Sequence, residues 1–190
     1  MSFIIPETTE KIVNLHNSNW EDVFFNISPY TFAFVGIACG LCLSVIGAAW
    51  GIFTAASSLM GATVKSPRIR SKNLISIIFC EANAIYGVII AVVLVTKVPL
   101  TFNASGIPKG YDYNLLWYCA YSIFASGLTV GLSNICSGIS VGICGSSCAL
   151  AHAQNDALFS KLLIAQIFAS ALGIYGIIVG IILSTNSQFP

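Results

Sequence analysis

The stretch Asn73–Thr96, NLISIIFCEANAIYGVIIAVVLVT, contains a single charged residue, Glu81. A helix of about 20 apolar residues crosses the hydrocarbon core of a bilayer, so this stretch is long enough to span a membrane once. Three more stretches contain no Asp, Glu, Lys or Arg: Thr31–Val64, Tyr113–Asn155 and Leu162–Pro190. We therefore predict an all-α integral membrane protein with four transmembrane helices. Their expected bounds are 31–61, 74–97, 114–150 and 159–184.

The composition supports this fold class. Apolar residues make up 56% of the chain and charged residues only 8%, whereas an average soluble domain has roughly a quarter of its residues charged. The net charge of +1 provides no basic patch for phosphates, which argues against nucleic acid as a partner. The first and third apolar stretches are longer than one crossing requires, so we expect those helices to extend past the lipid headgroups.

The segment 1–30 is not expected to be a signal peptide, because it lacks a positively charged start and its apolar run begins too late. Trp20, Phe24 and Phe25 accompany Glu21 and Asp22. This mixture of aromatic and acidic residues is typical of a segment that lies at the membrane surface.

The loop between the first two helices determines the expected orientation. It carries four of the eight basic residues and no acid: Lys65, Arg68, Arg70 and Lys72. The positive-inside rule places it on the cytoplasmic side. The N-terminal segment, the loop 98–113 and the tail 185–190 are then luminal. Two weak glycosylation sequons, at Asn26 and Asn103, fall on that side.

All seven cysteines lie within or at the ends of apolar runs, where a thiol behaves as a small apolar side chain. Cys144 and Cys148 are one helical turn apart, but no histidine lies at ligand distance from them. We therefore expect neither a zinc site nor a resident cofactor.

The chain contains two copies of one helical hairpin, at 31–97 and 114–184. Four glycines of the first helix recur 91 residues later in the third helix. The pairs are Gly36 and Gly127, Gly40 and Gly131, Gly47 and Gly138, and Gly51 and Gly142. The outgoing helices match as well, because Ile85-Tyr-Gly87 recurs as Ile174-Tyr-Gly176, 89 residues later.

The glycine spacing of 4, 7 and 4 keeps all four residues of each set on one side of a helix. Faces of small residues let helices approach closely in lipid. Two interpretations remain open at this point. The stripes can serve ordinary packing within one chain, or they can form the inner wall of a ring whose outer wall is made by the second and fourth helices.

Glu81 is the candidate functional residue. It lies about nine residues beyond Lys72, which is roughly 13 Å into the membrane. An ionised side chain there costs at least ~2.5–3.5 kcal/mol, and the spans contain no Lys or Arg in their interiors to pair with it. We interpret Glu81 as a reversible proton carrier. The alternative is a structural carboxyl that bonds a neighbouring helix.

The sequence indicates the roles of the other polar residues within the spans less clearly. Tyr86 and Asn83 are possible hydrogen-bond partners of protonated Glu81, although Asn83 is equally expected to face another helix. In the second hairpin Ser170 aligns with Glu81, and Gln166 lies one turn earlier. Neither can carry a charge, so only the first hairpin is expected to transport protons. Asn134 is expected to bond another helix.

These residues resemble the proteolipid subunits of vacuolar-type rotary ATPases, from about Ser28 to Leu183. The strings that carry the resemblance are SVIGAAWGIF (44–53), VKSPRIRSKNLISIIFCEANAIYG (64–87), SNICSGISVGICGS (133–146) and ALFSKLLIAQIF (157–168). In that family an acid followed five residues later by Tyr-Gly is the proton site, and Glu81 with Tyr86 and Gly87 fits. An acid on the second helix with none at position 170 is the arrangement of the c-double-prime type.

The resemblance implies a proton-translocating rotor subunit that is not catalytic alone and that transports H+ without a cofactor. It implies a ring with other c-type proteolipids, contact with the a subunit of the stator and with lipid, and a central stalk that touches the cytoplasmic loops. The expected location is the membrane of vacuoles and other acidic organelles. Some relatives carry a second Glu where this chain has Gln166, so that accessory role is not expected here.

Three other classes of protein remain as alternatives: a proton-coupled drug antiporter, a purely structural tetraspan protein, and a pore formed by the ring. Only the rotor interpretation predicts that the chain copurifies with a soluble ATPase sector.

Overall fold

The computed structural model describes residues 27–66, 69, 72–98, 113–185 and 187. Within them the chain forms four long α-helices and one short 3₁₀-helix. The elements are α1 at Pro29–Lys65, α2 at Leu74–Lys97, α3 at Tyr113–Gln154, the 3₁₀ turn at Asp156–Leu158 and α4 at Phe159–Thr185. Each α-helix is long and apolar enough to cross a membrane, which confirms the predicted fold class.

Local sequence explains where these helices begin and end. Pro29 occupies the first turn of α1, where its fixed φ favours the helix and its missing N–H is not needed. At the other end, the backbone N–H of Ser66 bonds the carbonyl oxygen of Ala62 and closes the last turn at 3.0 Å. The 3₁₀ turn is capped by Asn155, whose side-chain oxygen accepts from the N–H of Ala157.

The first and third helices are longer than one crossing requires. α1 has 37 residues and α3 has 42, which gives lengths of about 55 and 63 Å against a hydrocarbon core of about 30 Å. The predicted bounds 31–61 were short by two residues at the start and four at the end of α1, and 114–150 by one and four residues in α3. The predicted segments 1–30, 98–113 and 185–190 fall mostly outside the described residues, as do Trp20, Phe24, Phe25 and both sequons, so those boundaries stay predictions.

The helices form two layers. α1 and α3 pack against each other along most of their length, and α2 and α4 lie on the outside of this pair. α2 contacts α1, α3 and α4, whereas α4 packs mainly on α3. The outer surface is strongly apolar. Large side chains that are more than half exposed include Trp50, Phe53, Val64, Phe168 and Tyr175.

The α1–α3 interface is made by the two glycine stripes, which face each other. A Cβ added at Gly127 would lie 2.0 Å from the carbonyl oxygen of Gly36, and one added at Gly138 would lie 2.4 Å from that of Gly47. Such distances leave no room for a side chain, so the two backbones are in direct contact. The glycine stripes therefore pack α1 against α3 within one chain. The inner wall of a ring remains a prediction, because it concerns contacts between chains.

The end of the bundle away from the basic loop is closed by different interactions. Phe32, Trp117 and Tyr121 stack there with ring centroids 5.4–5.8 Å apart, and join α1 to α3. Lys97, at the end of α2, donates to the backbone carbonyl of Ser184 in the last turn of α4. A cation at a helix C-terminus is favourable because the unpaired carbonyls carry partial negative charge.

We expect Gly127→Val to separate α1 from α3 and to lower the free energy of unfolding by at least about 1–3 kcal/mol, the usual cost of overpacking. Gly61→Val is the matched control, since a Cβ there meets nothing within 4 Å. Unfolding of the purified chain in micelles, followed by circular dichroism, measures both. Equal stability of the two variants would contradict the packing role of the glycines.

Candidate functional site

Glu81 lies about 10 Å along α2 from its first residue, Leu74. Its side chain is exposed on the outer layer of the bundle. The exposed residues next to it on this face are apolar, with Ile78 one turn before and Ile85 one turn after. Within the part of the chain that the structure describes, Glu81 has no hydrogen-bond or ion-pair partner. The carboxyl is therefore isolated on an apolar surface.

This placement decides what Glu81 can do chemically. A surface of this composition faces lipid or an apolar partner, where a charged side chain costs several kcal/mol. The carboxyl can therefore interact with groups outside its own chain without breaking any hydrogen bond or ion pair among the described residues.

Neither of the predicted supporting residues is brought to Glu81. Asn83 lies two residues further on, about 200° around the helix, and its side chain is 0% exposed. Tyr86 is half-buried and about 140° from Glu81. Of the two alternatives for Asn83, the structure shows the one in which it faces another helix.

Asn83 belongs to a polar network that joins all four helices. Its amide lies 3.3 Å from the hydroxyl of Ser137 on α3, and that hydroxyl also lies 3.0 Å from the carbonyl of Ala169 on α4. One turn earlier on α3, Asn134 donates to Ser44 on α1 at 2.8 Å. The expectation that Asn134 bonds another helix is thus met by the geometry, with Ser44 as its partner.

Gln166 forms a second interhelical tie. Its side chain is 0% exposed and makes two hydrogen bonds with the hydroxyl of Ser76 on α2, at 2.8 and 3.1 Å. The amide thus bridges the two outer helices. Ser170, which aligns with Glu81 in the repeat, is buried one turn further along α4.

Sequence reasoning missed a third cluster, at the end of the bundle near the basic loop. His152 is buried, with Nδ1 3.2 Å from the amide oxygen of Asn73 and Nε2 2.8 Å from a carboxylate oxygen of Asp156. It thereby connects the start of α2 to the turn before α4. A lone histidine in an apolar run gives no sequence signal for such a role, because its partner Asn73 is distant in the chain.

The basic loop is only partly described. Lys65 and Lys72 are exposed, and Ile69 between them is buried, so one apolar side chain anchors the loop to the bundle. Arg68 and Arg70 lie outside the described residues. Across the described helices, no three His, Cys, Asp or Glu side chains are close enough to hold a metal ion. Absence of a cofactor stays a prediction.

Comparison with known proteins gives two matches to the family of ATP synthase C subunits, at residues 35–94 and 124–183. These are the two hairpins of the repeat. The c''2 subunit of the V-type proton ATPase of Arabidopsis thaliana is 53% identical over 94% of this chain and 97% of its own length. The c'' subunit of the V-type proton ATPase of Saccharomyces cerevisiae is 47% identical over 94% of this chain and 82% of its own. The 16 kDa c proteolipid of the V-type proton ATPase of Bos taurus is 31% identical over 82% and 92%.

We expect Ser76→Ala to lower the free energy of unfolding by about 1–3 kcal/mol, because it leaves the buried Gln166 amide without its partner. The double variant Ser76→Ala, Gln166→Leu removes both polar groups and should regain most of that loss. Denaturant titration in micelles compares the two. A double variant no more stable than the single one would show that the loss in Ser76→Ala does not come from an unpaired Gln166 amide.

Proposed function

This chain belongs to the family of ATP synthase C subunits as a V-type proton ATPase proteolipid of the c'' type, and on that premise we propose that Glu81 carries protons in the rotor ring of such an ATPase. The chain is a rotor subunit and is not catalytic alone. It is an integral protein of vacuolar membranes.

One observation carries the proposal for Glu81. It is the only acidic residue in the four long helices, and it stands exposed on the outer layer among isoleucines. The polar side chains of the inner network each have a partner on a neighbouring helix in at least one of their polar groups. A carboxyl left free at the surface is accessible to groups outside its own chain.

The proposed cycle uses this access. Opposite the stator, a water-filled path and a cation favour the ionised form, so protonated Glu81 releases its proton there. The carboxylate then takes up another proton before it leaves the stator. Away from the stator the carboxyl is protonated, and its neutral form crosses the apolar surroundings. ATP hydrolysis in a separate soluble sector turns the ring and so moves protons to the luminal side.

We propose one partner for each exposed surface of the chain. The ring would be completed by other c-type proteolipids, which pack on the apolar flanks of α1 and α3. The a subunit of the stator would face α2 at Glu81. The exposed Lys65 and Lys72, with Arg68 and Arg70, would face the cytoplasm and contact the central stalk, while both termini would be luminal.

The deciding experiment is ATP-driven acidification of vesicles that carry Glu81→Gln, after the assembly of the complex has been verified. We expect assembly without acidification, because glutamine cannot bind and release a proton and one blocked site stops a turning ring. Glu10→Gln is the matched control, since it removes an acid that precedes the first long helix in the sequence, and it should leave acidification near the wild-type level.

Undiminished acidification by the Glu81→Gln complex would refute the proposal and favour a structural carboxyl. Loss of acidification in both variants would point to damage of the assembly rather than to a proton carrier.

The orientation has its own test. Cysteine introduced at the exposed Lys72 should react with a membrane-impermeant maleimide added from the cytoplasmic side, and cysteine at the exposed Thr185 should react only after the membrane is opened. Wild-type protein gives the background from the native thiols. The reverse pattern would invert the topology.

A further inference from the structure

The two outer helices have opposite exposures at positions that the repeat makes equivalent. Glu81 is exposed and Asn83 is 0% exposed on α2. On α4 the aligned positions are reversed, since Ser170 is 7% exposed and Leu172 is 47% exposed. In each helix the member of this pair that turns inward is a small uncharged polar side chain.

Apolar packing alone does not set this rotation. Helices in lipid gain little from burying one apolar side chain rather than another, because the surrounding acyl chains are equally apolar. α2 carries Ile both on its exposed sides and among its buried residues. Its buried face also holds Cys80, Gly87 and Leu94. The two buried side chains that bear oxygen or nitrogen, Ser76 and Asn83, are seven residues apart and therefore lie on one side of the helix.

Hydrogen counting shows how Asn83 is held. Ser137 has one hydroxyl hydrogen, yet its oxygen lies within bonding distance of both the Ala169 carbonyl and the Asn83 amide. The contact with the Ala169 carbonyl is the shorter of the two, at 3.0 Å against 3.3 Å, so we assign the Ser137 hydrogen to Ala169. With this assignment Asn83 presents its NH₂ group to Ser137, which is the orientation reached by exchanging the amide oxygen and nitrogen.

The same orientation resolves a second difficulty. Without the exchange, Asn83 Nδ2 and Asn134 Oδ1 are buried and have no hydrogen-bond partners among the described residues. Asn83 Oδ1 and Asn134 Oδ1 would lie 2.8 and 2.9 Å from a Cβ placed on Gly173, so both amides converge on this glycine of α4. After the exchange the Asn83 NH₂ group points at Ser137 and lies on the side of α4 to which the Asn134 oxygen also turns.

We propose that Asn83 is a positioning residue, whose contact with Ser137 fixes the rotation of α2 and holds Glu81 on the outer surface. The inference rests on the proposed function, because outward placement matters only if Glu81 exchanges protons with groups outside the chain. Turning α2 by one residue position, about 100°, would take the Asn83 amide out of the network and leave it unpaired in an apolar environment.

The test uses the assembled ATPase in membranes and a lipid-soluble carbodiimide, which couples to a protonated carboxyl. The rate at which Glu81 is modified, measured by mass spectrometry per assembled complex, reports whether the carboxyl faces the lipid. Loss of one interhelical hydrogen bond in a membrane changes the equilibrium between two rotations of α2 by about three- to tenfold. Asn83→Ala should therefore slow this modification by up to about that factor, according to how far the outward-facing population falls. Adding Ser76→Ala should slow it further.

Ser126→Ala is the matched control. Ser126 is buried and donates to the Gly180 carbonyl at 2.6 Å, so this variant removes an interhelical bond that does not involve α2. We expect wild-type modification of Glu81 in this variant. If Asn83→Ala does not assemble, Ser137→Ala removes the same contact from the side of α3 and should slow modification in the same direction.

The outcomes distinguish a failure of the positioning role of Asn83 from a failure of the proposed function of Glu81. Wild-type modification rates in Asn83→Ala, or in Ser137→Ala where the first variant does not assemble, overturn the positioning role. Equal slowing by Ser126→Ala overturns it as well, because any lost bond would then suffice. An unmodified Glu81 in the wild-type complex, together with normal acidification by Glu81→Gln, would instead refute the proposed function.

Discussion

Direct backbone contact between α1 and α3 is the constraint on which the other interactions depend. Gly36, Gly47, Gly127 and Gly138 leave no space for a side chain between the two helices. Only at this separation can a short side chain such as Ser44 meet an amide of α3 across the interface. Because α1 and α3 form one narrow layer, α2 and α4 are placed together on its outside. An apolar environment makes unpaired polar groups costly, so the buried serines and amides find partners at fixed places.

Glu81 differs from these buried polar residues because it has no hydrogen-bond or ion-pair partner among the described residues. Asn83, Asn134 and Gln166 each lie inside the bundle and bond a neighbouring helix, whereas Glu81 projects from the opposite side of α2. The interior polar contacts are fixed interactions that hold helices in register. The exposed carboxyl of Glu81 is accessible to groups outside its own chain. The same helix thus provides a rigid inner face and a reactive outer one.

Much of this follows from the sequence, since charge-free stretches, glycine repeats and a lone acid are local or periodic features. The four helices, the hairpin repeat and the candidate residue Glu81 could all be predicted in that way. The direction in which Asn83 faces could not, because it depends on Ser137, 54 residues away. The cluster around His152 was missed for the same reason. The extension of α1 and α3 beyond the apolar thickness of a membrane was expected, but their ends were misplaced by one to four residues, because the charge-free stretches do not mark where a helix stops.

The buried Ser170 has a consequence for energy conversion. In the proposed ring, each chain would contribute two outer helices to the circumference, and only α2 carries an acidic residue. A ring that includes such a chain would then move fewer ions per revolution than a ring of the same size with an acid on every outer helix. For a fixed amount of ATP consumed per revolution, the available work is divided among fewer ions. Such a rotor would transport fewer ions per ATP hydrolysed, and it could transport them against a steeper electrochemical gradient.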